Sequence, residues 1–217
     1  MKIGISRAHF PVTTLGPGKR LGIWVQGCSI RCPGCISADT WRKASDLIQV
    51  DTLVAQLGAW LTQCDGITIS GGEPFDQPLA LQALLQALRG FDADGRTRDI
   101  FVYSGHPIEH LHGLMAGCPD WGDVLMTEPL ALDQPQTKAL RGSDNQQLHL
   151  LTPLGAERFA AYERTKQASD RQLDVMVDDT GVVWLAGIPS RGDMQRLQAV
   201  LKSQGHFSDT TEAPVPR

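Results

Sequence analysis

Three cysteines within residues 28–35 are the group in this chain best suited to chemistry. Cys28, Cys32 and Cys35 follow a Cys-x3-Cys-x2-Cys spacing. Thiolates are the usual ligands of an iron–sulfur cluster, and three of them leave one iron of a four-iron cluster without a protein ligand. We therefore predict a 4Fe-4S cluster whose open iron binds a substrate or a cofactor.

Two other uses of these cysteines fit the sequence less well. A structural zinc site takes four ligands, usually as two separated pairs, and neither His9 nor His106 completes such a pattern. A disulfide framework is disfavoured because the chain has five cysteines, an odd number, and three of them are crowded together. Cys64 and Cys118 each lie alone near apolar segments, and we interpret them as buried thiols.

A second motif, Ser-Gly-Gly-Glu-Pro at 70–74, follows a predicted strand. Adjacent glycines let a ligand approach the backbone closely, and the carboxyl ends of parallel strands are where such folds bind ligands. Glu73 is a candidate partner for an ammonium group. Taken alone, the motif is more typical of a tight turn closed by proline. Because the cysteines follow the preceding strand, we predict that both motifs form one site at the same end of a sheet.

The elements that position these motifs alternate between short apolar runs and longer amphipathic ones. Strands are predicted at 21–26, 66–70, 99–104, 123–127 and 147–151. Helices are predicted at 51–63, 78–89, 107–115 and 153–166. This alternation implies parallel βαβ units and an α/β fold, in which the sheet is either open or curled.

The pattern changes after about residue 170. Segments 173–177 and 182–185 flank a turn-rich stretch at 178–181, which predicts a hairpin, and a helix is predicted at 191–203. The hairpin and helix either form a small added subdomain or complete the main sheet. The tail at 206–217 is polar and is predicted to be disordered because it has little apolar surface to bury.

Composition narrows the class of protein. The 217 residues suffice for one well-buried domain, with ordinary hydrophobic (41%) and charged (20%) fractions. A net charge of −4 and the lack of a basic patch argue against nucleic-acid binding. No apolar run resembles a signal peptide or a membrane span. We therefore expect a cytoplasmic protein, in a reducing compartment that suits an oxygen-sensitive cluster.

Cys-x3-Cys-x2-Cys followed by Gly-Gly-Glu-Pro resembles the radical S-adenosylmethionine superfamily. The resemblance implies that Cys28, Cys32 and Cys35 hold a 4Fe-4S cluster whose free iron is chelated by S-adenosylmethionine. An electron from the reduced cluster then cleaves the sulfonium to give a 5'-deoxyadenosyl radical, which abstracts a hydrogen atom, while the protein positions the cofactor. The cofactor contacts implied by this resemblance are Gly34, Cys35, Ile36, Gly71, Gly72, Glu73 and Ser104.

Further motifs are similar to those of the anaerobic ribonucleotide reductase activating enzymes, which install a glycyl radical on a protein partner. They are Gly-Pro-Gly at 16–18, Thr-Trp-Arg at 40–42, Val-Tyr-Ser-Gly at 102–105 and Arg-Gly-Ser-Asp-Asn-Gln at 141–146. The resemblance covers about residues 10–151. It implies a partial, open parallel βα barrel, a glycyl-radical enzyme or peptide as partner, and an electron donor such as flavodoxin or ferredoxin.

Three features depart from that family's pattern. Ile36 stands where activating enzymes commonly have tyrosine, and residues 125–129 replace an Asp-Gly-type turn. The chain also continues for roughly sixty residues beyond the Asn-Gln segment. We therefore predict a radical S-adenosylmethionine core at 1–151, a C-terminal α/β extension packed on it at 152–205, and the disordered tail.

Two other functions stay open at this level. A small-molecule enzyme similar to 7-carboxy-7-deazaguanine synthase has a comparable size, but Cys35 is followed by Ile-Ser-Ala-Asp-Thr and not directly by the Asp-Thr of those enzymes. A non-catalytic iron–sulfur electron carrier would close its cluster with Cys64 or Cys118. The Gly-Gly-Glu-Pro motif would then have no purpose in the site, so we favour the enzyme.

Overall fold

A six-stranded mixed sheet organises the fold in the computed structural model, which describes residues 1–91, 95–177 and 181–206. In chain order, the strands are β1 (Lys2–Ile3), β2 (Ile5–Val12), β3 (Arg20–Val25), β4 (Ile48–Gln49), β5 (Gly66–Gly71), β6 (Asp99–Tyr103), β7 (Val124–Thr127), β8 (Gln147–Leu150), β9 (Leu173–Val177) and β10 (Val183–Gly187). The helices are α1 (Val50–Leu61), α2 (Pro78–Arg89), α3 (Ile108–Leu114), α4 (Pro153–Phe159) and α5 (Asp193–Ser203).

The centre of the sheet is parallel, as predicted. The spatial order is β2-β3-β5-β6-β7-β8, and β3, β5, β6 and β7 run in the same direction. Helices α1, α2 and α3 connect these four strands in turn. Because each crossover advances to the next strand, right-handed connections bring all three helices to one face of the sheet.

The two edge strands of the sheet pair antiparallel to their neighbours and lie outside the predicted parallel units. β2, which the sequence patterns did not predict, pairs with β3, and β8 pairs with β7. A parallel return needs a crossover long enough to bring the chain back to the same end. No helix lies between β7 and β8 among the described residues, so the chain simply reverses there.

The helix face of the sheet carries the largest apolar core. Ile23 of β3 pairs with Ile69 of β5, and Ile69 pairs with Val102 of β6, so their side chains share this face. They pack against the apolar faces of α1 and α2, including Leu57 and Leu84. Strands covered on both faces are expected to be continuously apolar, which is why the sequence predicted them well.

The opposite face is covered by residues that follow the main sheet. Phe159 of α4 packs with Phe101 and Met126. Ala186 of β10 packs with Trp24 of β3 in a separate small cluster. β9 and β10 form the predicted hairpin as their own two-stranded sheet, so they do not extend the main one. The helix predicted at 153–166 ends earlier, at Phe159, and continues as a short 3-10 turn, Ala160–Tyr162.

The amino ends of the parallel strands are closed by a buried ionic network. The Arg20 guanidinium donates to Asp99 Oδ2 at 2.6 Å and to Thr68 Oγ1 at 2.6 Å, and Arg158 donates to Asp99 Oδ1 at 2.6 Å. The side chains of Arg20 and Asp99 are fully buried. Paired side chains therefore fill the interior at the amino ends of these strands.

Some predictions fall outside the described residues. These are most of the hairpin turn, at 178–180, and nearly all of the tail, at 207–217. Within the described ranges, no helix has the length and apolar character needed to cross a membrane.

Candidate active site

The cysteine loop begins where β3 ends, at the carboxyl end of the parallel strands. Its base is held by a hydrogen bond from the Gly27 amide to the Thr40 carbonyl at 2.7 Å. Asp76 anchors the next turn of the loop, because its carboxylate accepts hydrogen bonds from the Ser29 amide at 2.6 Å and the Ser29 hydroxyl at 2.7 Å. These bonds fix the base and the next turn of the loop.

The three thiols of this loop are not in disulfides and are partly buried. Burial raises the pKa of Cys28, Cys32 and Cys35, and at Cys32 the neighbouring thiols add to the rise. Metals bind the thiolate, so cluster assembly must release these protons. Among the described residues, no three Cys, His, Asp or Glu side chains converge on a single metal ion. Three thiols on one loop fit the ligand chemistry of an iron–sulfur cluster.

The Gly-Gly-Glu-Pro turn meets the base of the cysteine loop at the end of β5. Gly71 pairs with Val25 in the register of β3 and β5, and the Gly72 amide donates to the Val25 carbonyl at 2.9 Å. A Cβ atom on Gly72 would lie 2.0 Å from the Gly27 carbonyl oxygen. Glycine is therefore required for this close approach. The prediction that the two motifs lie at the same end of the sheet is confirmed.

Glu73 is buried beneath this turn, with only 1% of its surface exposed. One carboxylate oxygen accepts hydrogen bonds from the Phe75 amide at 3.0 Å and the Ser104 hydroxyl at 2.9 Å, and the other accepts from the Gly105 amide at 2.8 Å. Burial raises the pKa of Glu73 to about 7, against the lowering effect of these hydrogen bonds. The carboxylate thus ties the end of β5 to the end of β6.

A cavity of about 320 Å³ opens beside the cysteine loop. Gly34, Cys35 and Ile36 line it from the loop, and Gly71 and Tyr103 line it from the strand ends. Its volume lies at the lower end of the range of about 300–1,000 Å³ that is typical of small-molecule sites. The cavity is therefore large enough for one small cofactor in contact with the third cysteine.

The predicted cofactor contacts divide into two groups. Those that line the cavity are Gly34, Cys35, Ile36 and Gly71. The others are Gly72, Glu73 and Ser104, which do not line it but form the hydrogen-bonded support of the turn. Contact between Glu73 and an ammonium group stays a prediction.

The Arg-Gly-Ser-Asp-Asn-Gln segment at 141–146 forms another part of the cavity wall, through Gly142 and Gln146. Arg141 is buried behind it. Its Nε donates to the Gln146 carbonyl at 2.7 Å, and its guanidinium pairs with Glu163. Arg141 therefore shapes the segment from behind and does not line the cavity itself.

Sequence reasoning missed the aromatic residues of the cavity. Trp24 and Tyr103 lie at the carboxyl ends of β3 and β6 and line it. The Tyr103 hydroxyl donates to the Leu140 carbonyl at 3.1 Å, and burial raises the Tyr103 pKa, so this side chain stays neutral. Their position at the ends of predicted strands could have indicated this role, because residues at the carboxyl ends of parallel strands contact ligands.

The two remaining cysteines lie away from the site. Cys64 is fully buried in the main core, just before β5 begins. Cys118 packs against the same core before β7. Both therefore precede the amino ends of their strands, whereas the cysteine loop follows a carboxyl end, so neither thiol is placed to complete a cluster there.

Comparison with known proteins agrees with this site. Residues 14–149 match the family model described as a 4Fe-4S single cluster domain. The chain is 30% identical over 149 residues to the anaerobic ribonucleoside-triphosphate reductase-activating protein of Escherichia coli K12. The matched stretch covers 66% of this chain and 96% of that protein. It is also 36% identical over 83 residues to the pyruvate formate-lyase-activating enzyme of Staphylococcus aureus, over 36% of this chain and 33% of that enzyme.

The chain belongs to the 4Fe-4S single cluster domain family, as a member of the radical S-adenosylmethionine superfamily. Within it, the relatives are activating enzymes, so the resemblance to glycyl-radical activases is confirmed. The protein is an enzyme whose cofactors are a 4Fe-4S cluster and S-adenosylmethionine.

Proposed function

We propose that this protein is a glycyl-radical activase in which Cys28, Cys32 and Cys35 hold the cluster. The observation that carries the proposal is the meeting of the cysteine loop and the Gly-Gly-Glu-Pro turn beside a cavity of about 320 Å³. When bound, the reduced cluster and S-adenosylmethionine supply a 5'-deoxyadenosyl radical that takes a hydrogen atom from a protein partner.

The protein's own residues bind and orient the cofactor. Gly34, Cys35, Ile36 and Gly71 contact it directly, which their position on the cavity surface supports. Gly72, Glu73 and Ser104 contribute by holding the turn in place, and an ammonium group near the turn would favour the ionised form of Glu73. Trp24 and Tyr103 would pack against the bound cofactor from the cavity wall.

We infer the type of barrel and the domain division from the same family. We infer a partial, open parallel βα barrel, supported by four parallel strands in sequence order with a helix after each of the first three. We further divide the chain into a core at 1–151 and an extension at 152–205. Contacts such as the hydrogen bonds of Thr13 and Thr14 with Asp174 support an extension that packs on the core.

The partner is proposed to be a glycyl-radical enzyme, because the relatives are named as activators of a ribonucleoside-triphosphate reductase and of pyruvate formate-lyase. A single electron per turnover must come from a carrier, for which a flavodoxin or a ferredoxin has the required chemistry. The reductase class is favoured, since its activating protein matches over 96% of its own length.

Anaerobic reconstitution tests the proposal. The protein should bind iron and sulfide and, with dithionite, convert S-adenosylmethionine to 5'-deoxyadenosine, measured by chromatography. Cys32→Ala should abolish this product, whereas the matched Cys118→Ser variant should retain it. A glycyl-radical signal in the electron paramagnetic resonance (EPR) spectrum of an added anaerobic reductase would establish the partner class. Retained product in Cys32→Ala, or its loss in Cys118→Ser, would overturn the ligand assignment.

A further inference from the structure

Part of the cavity wall comes from residues beyond the region shared with the family. Gly187, Ile188, Pro189 and Arg191 line the same cavity as Cys35. The family match ends at residue 149, and the Escherichia coli relative is covered over 96% of its length by a stretch that spans 66% of this chain. That relative therefore has almost no sequence left for a counterpart of this wall.

Arg191 joins this wall segment, residues 187–191, to the loop at 130–136. One guanidinium nitrogen donates to the Leu132 carbonyl at 2.7 Å, and the other donates to the carbonyls of Ala131 at 3.0 Å and Gln134 at 2.6 Å. A planar guanidinium with several fixed donors is well suited to hold three carbonyls in one arrangement.

Gln136, in the 130–136 loop, hydrogen-bonds the backbone of the wall segment in return. Its amide nitrogen donates to the Pro189 carbonyl at 3.0 Å, and its amide oxygen accepts a hydrogen bond from the Arg191 backbone at 3.1 Å. The wall segment and the 130–136 loop are therefore held together from both sides, so neither moves without breaking several hydrogen bonds.

The 130–136 loop in turn contacts the cysteine loop. A Cβ atom on Gly34 would lie 2.8 Å from Leu132 Cδ2, so the Leu132 side chain lies directly over Gly34. The Leu130 backbone also lies near the Cys32 thiol. A displacement of the 130–136 loop would therefore uncover the cysteine loop on its cavity side.

The wall segment is itself fixed to the core through the hairpin. Asp174 accepts hydrogen bonds from the Thr13 amide at 2.6 Å and from the hydroxyls of Thr13 at 2.8 Å and Thr14 at 3.0 Å. The Thr14 hydroxyl also contacts the Ala186 carbonyl at 3.1 Å, one residue before the wall begins. The extension therefore provides a firm support for the cavity wall.

We propose that the wall segment is a built-in part of the cofactor site, and that Arg191 is a positioning residue that holds the 130–136 loop over the cysteine loop. The inference rests on the proposed function, since it assigns the cavity to S-adenosylmethionine. It gives the C-terminal extension a role that the shorter activating proteins must fill by other means.

The test compares Arg191→Ala with Arg196→Ala as the control. Arg196 lies on α5, which begins two residues after Arg191, and its exposed side chain pairs with Asp193. Each reconstituted protein is assayed for its S-adenosylmethionine dissociation constant, from the change in the EPR spectrum of the reduced cluster. The rate at which an iron chelator bleaches the cluster is also measured. We expect Arg191→Ala to weaken binding by roughly tenfold and to speed bleaching several-fold, with Arg196→Ala unchanged.

Further variants separate positioning from folding. Arg191→Lys keeps one charged donor and should give an intermediate dissociation constant, and Gln136→Ala, which leaves Arg191 intact, should repeat the defect in weaker form. Equal dissociation constants and bleaching rates in Arg191→Ala, Gln136→Ala and Arg196→Ala would overturn the inference. If the unsubstituted protein failed to bind S-adenosylmethionine, the proposed function itself would be wrong.

Discussion

The two ends of the same four parallel strands are built in opposite ways. At the amino ends, Arg20, Asp99 and Arg158 fill the interior with a buried ionic network. At the carboxyl ends, Gly71 and Gly72 have no side chains to cover the backbone, and a cavity opens beside the cysteine loop. One end thus stabilises the sheet with side chains, while the other leaves room for a cofactor.

The largest expected effect concerns the amino end. Asp99→Asn removes the charge that balances fully buried Arg20, and breaking a buried pair in this way costs about 3–5 kcal/mol of unfolding free energy. Denaturant unfolding under anaerobic conditions measures this loss. Arg196→Ala, which removes an exposed ion pair, should lower the free energy of unfolding by about 1 kcal/mol or less.

If the two ends are independent, Asp99→Asn should still assemble its cluster at low temperature. An iron content that fell in parallel with stability would instead show that the amino-end network also supports the site.

The pH dependence of stability tests the burial of Glu73. Its pKa is raised from 4.5 to about 7, so between these values the folded protein binds more protons than the unfolded chain. The contribution of Glu73 to the free energy of unfolding is therefore fully present below about pH 4.5. It falls as the pH rises to about 7, by at most about 3 kcal/mol.

The difference in unfolding free energy between the unsubstituted protein and Glu73→Gln isolates this effect, because the thiols and other groups cancel. Unfolding curves from pH 4.5 to pH 8 should show that the unsubstituted protein loses stability relative to the variant. A constant difference across this range would mean that Glu73 is solvated and not buried under the turn.

A smaller effect on stability is expected when a side chain is added to a glycine at the carboxyl end. In Gly72→Ala the new methyl group would lie 2.0 Å from the Gly27 carbonyl oxygen, and such overpacking costs about 1–3 kcal/mol. The turn must then move away from the cysteine loop, so iron content after reconstitution should also fall.

Gly113→Ala is the matched control, since a Cβ atom there meets nothing within 4 Å and alanine favours a helix. It should leave the iron content unchanged. Normal cluster assembly in Gly72→Ala would show that the two loops do not need their close contact.

The smallest effect on stability is expected at Asp76. Asp76→Ala removes two hydrogen bonds to Ser29 in the cysteine loop, at a cost of about 1 kcal/mol. Chelator bleaching of the cluster should nevertheless become faster, because the loop loses an anchor. Asp46→Ala, at an exposed carboxylate that contacts its neighbour Ser45, should bleach at the unsubstituted rate.

The sequence patterns predicted the central strands and helices well, but not the edges of the sheet. β3, β5, β6 and β7 are buried on both faces and appear as continuous apolar runs. β2 is half-buried along most of its length, on both faces, and contains Pro11, which weakens a strand pattern. The direction of β8 could not be predicted, because it depends on the path of the 128–146 segment, which has no regular periodicity.

The site was predicted in part for a similar reason. The two motifs follow consecutive parallel strands, and this fact alone places them at one end of the sheet. The hydrogen bonds of Arg191 go to backbone carbonyls, which any residue type supplies, so no sequence pattern reveals them. Likewise, the burial of Glu73 depends on Ser104 and Gly105 from the next strand end.

The sequence by itself determined the chemistry, because thiol type and spacing decide what metal group a loop can hold and glycine pairs decide where a backbone can be approached. The tertiary structure alone decided the shape of the cavity around that chemistry. The wall segment and the cysteine loop are separated by roughly 150 residues and line the same cavity, joined through the 130–136 loop. Such contacts are specified by the packing of the whole chain and not by any local pattern.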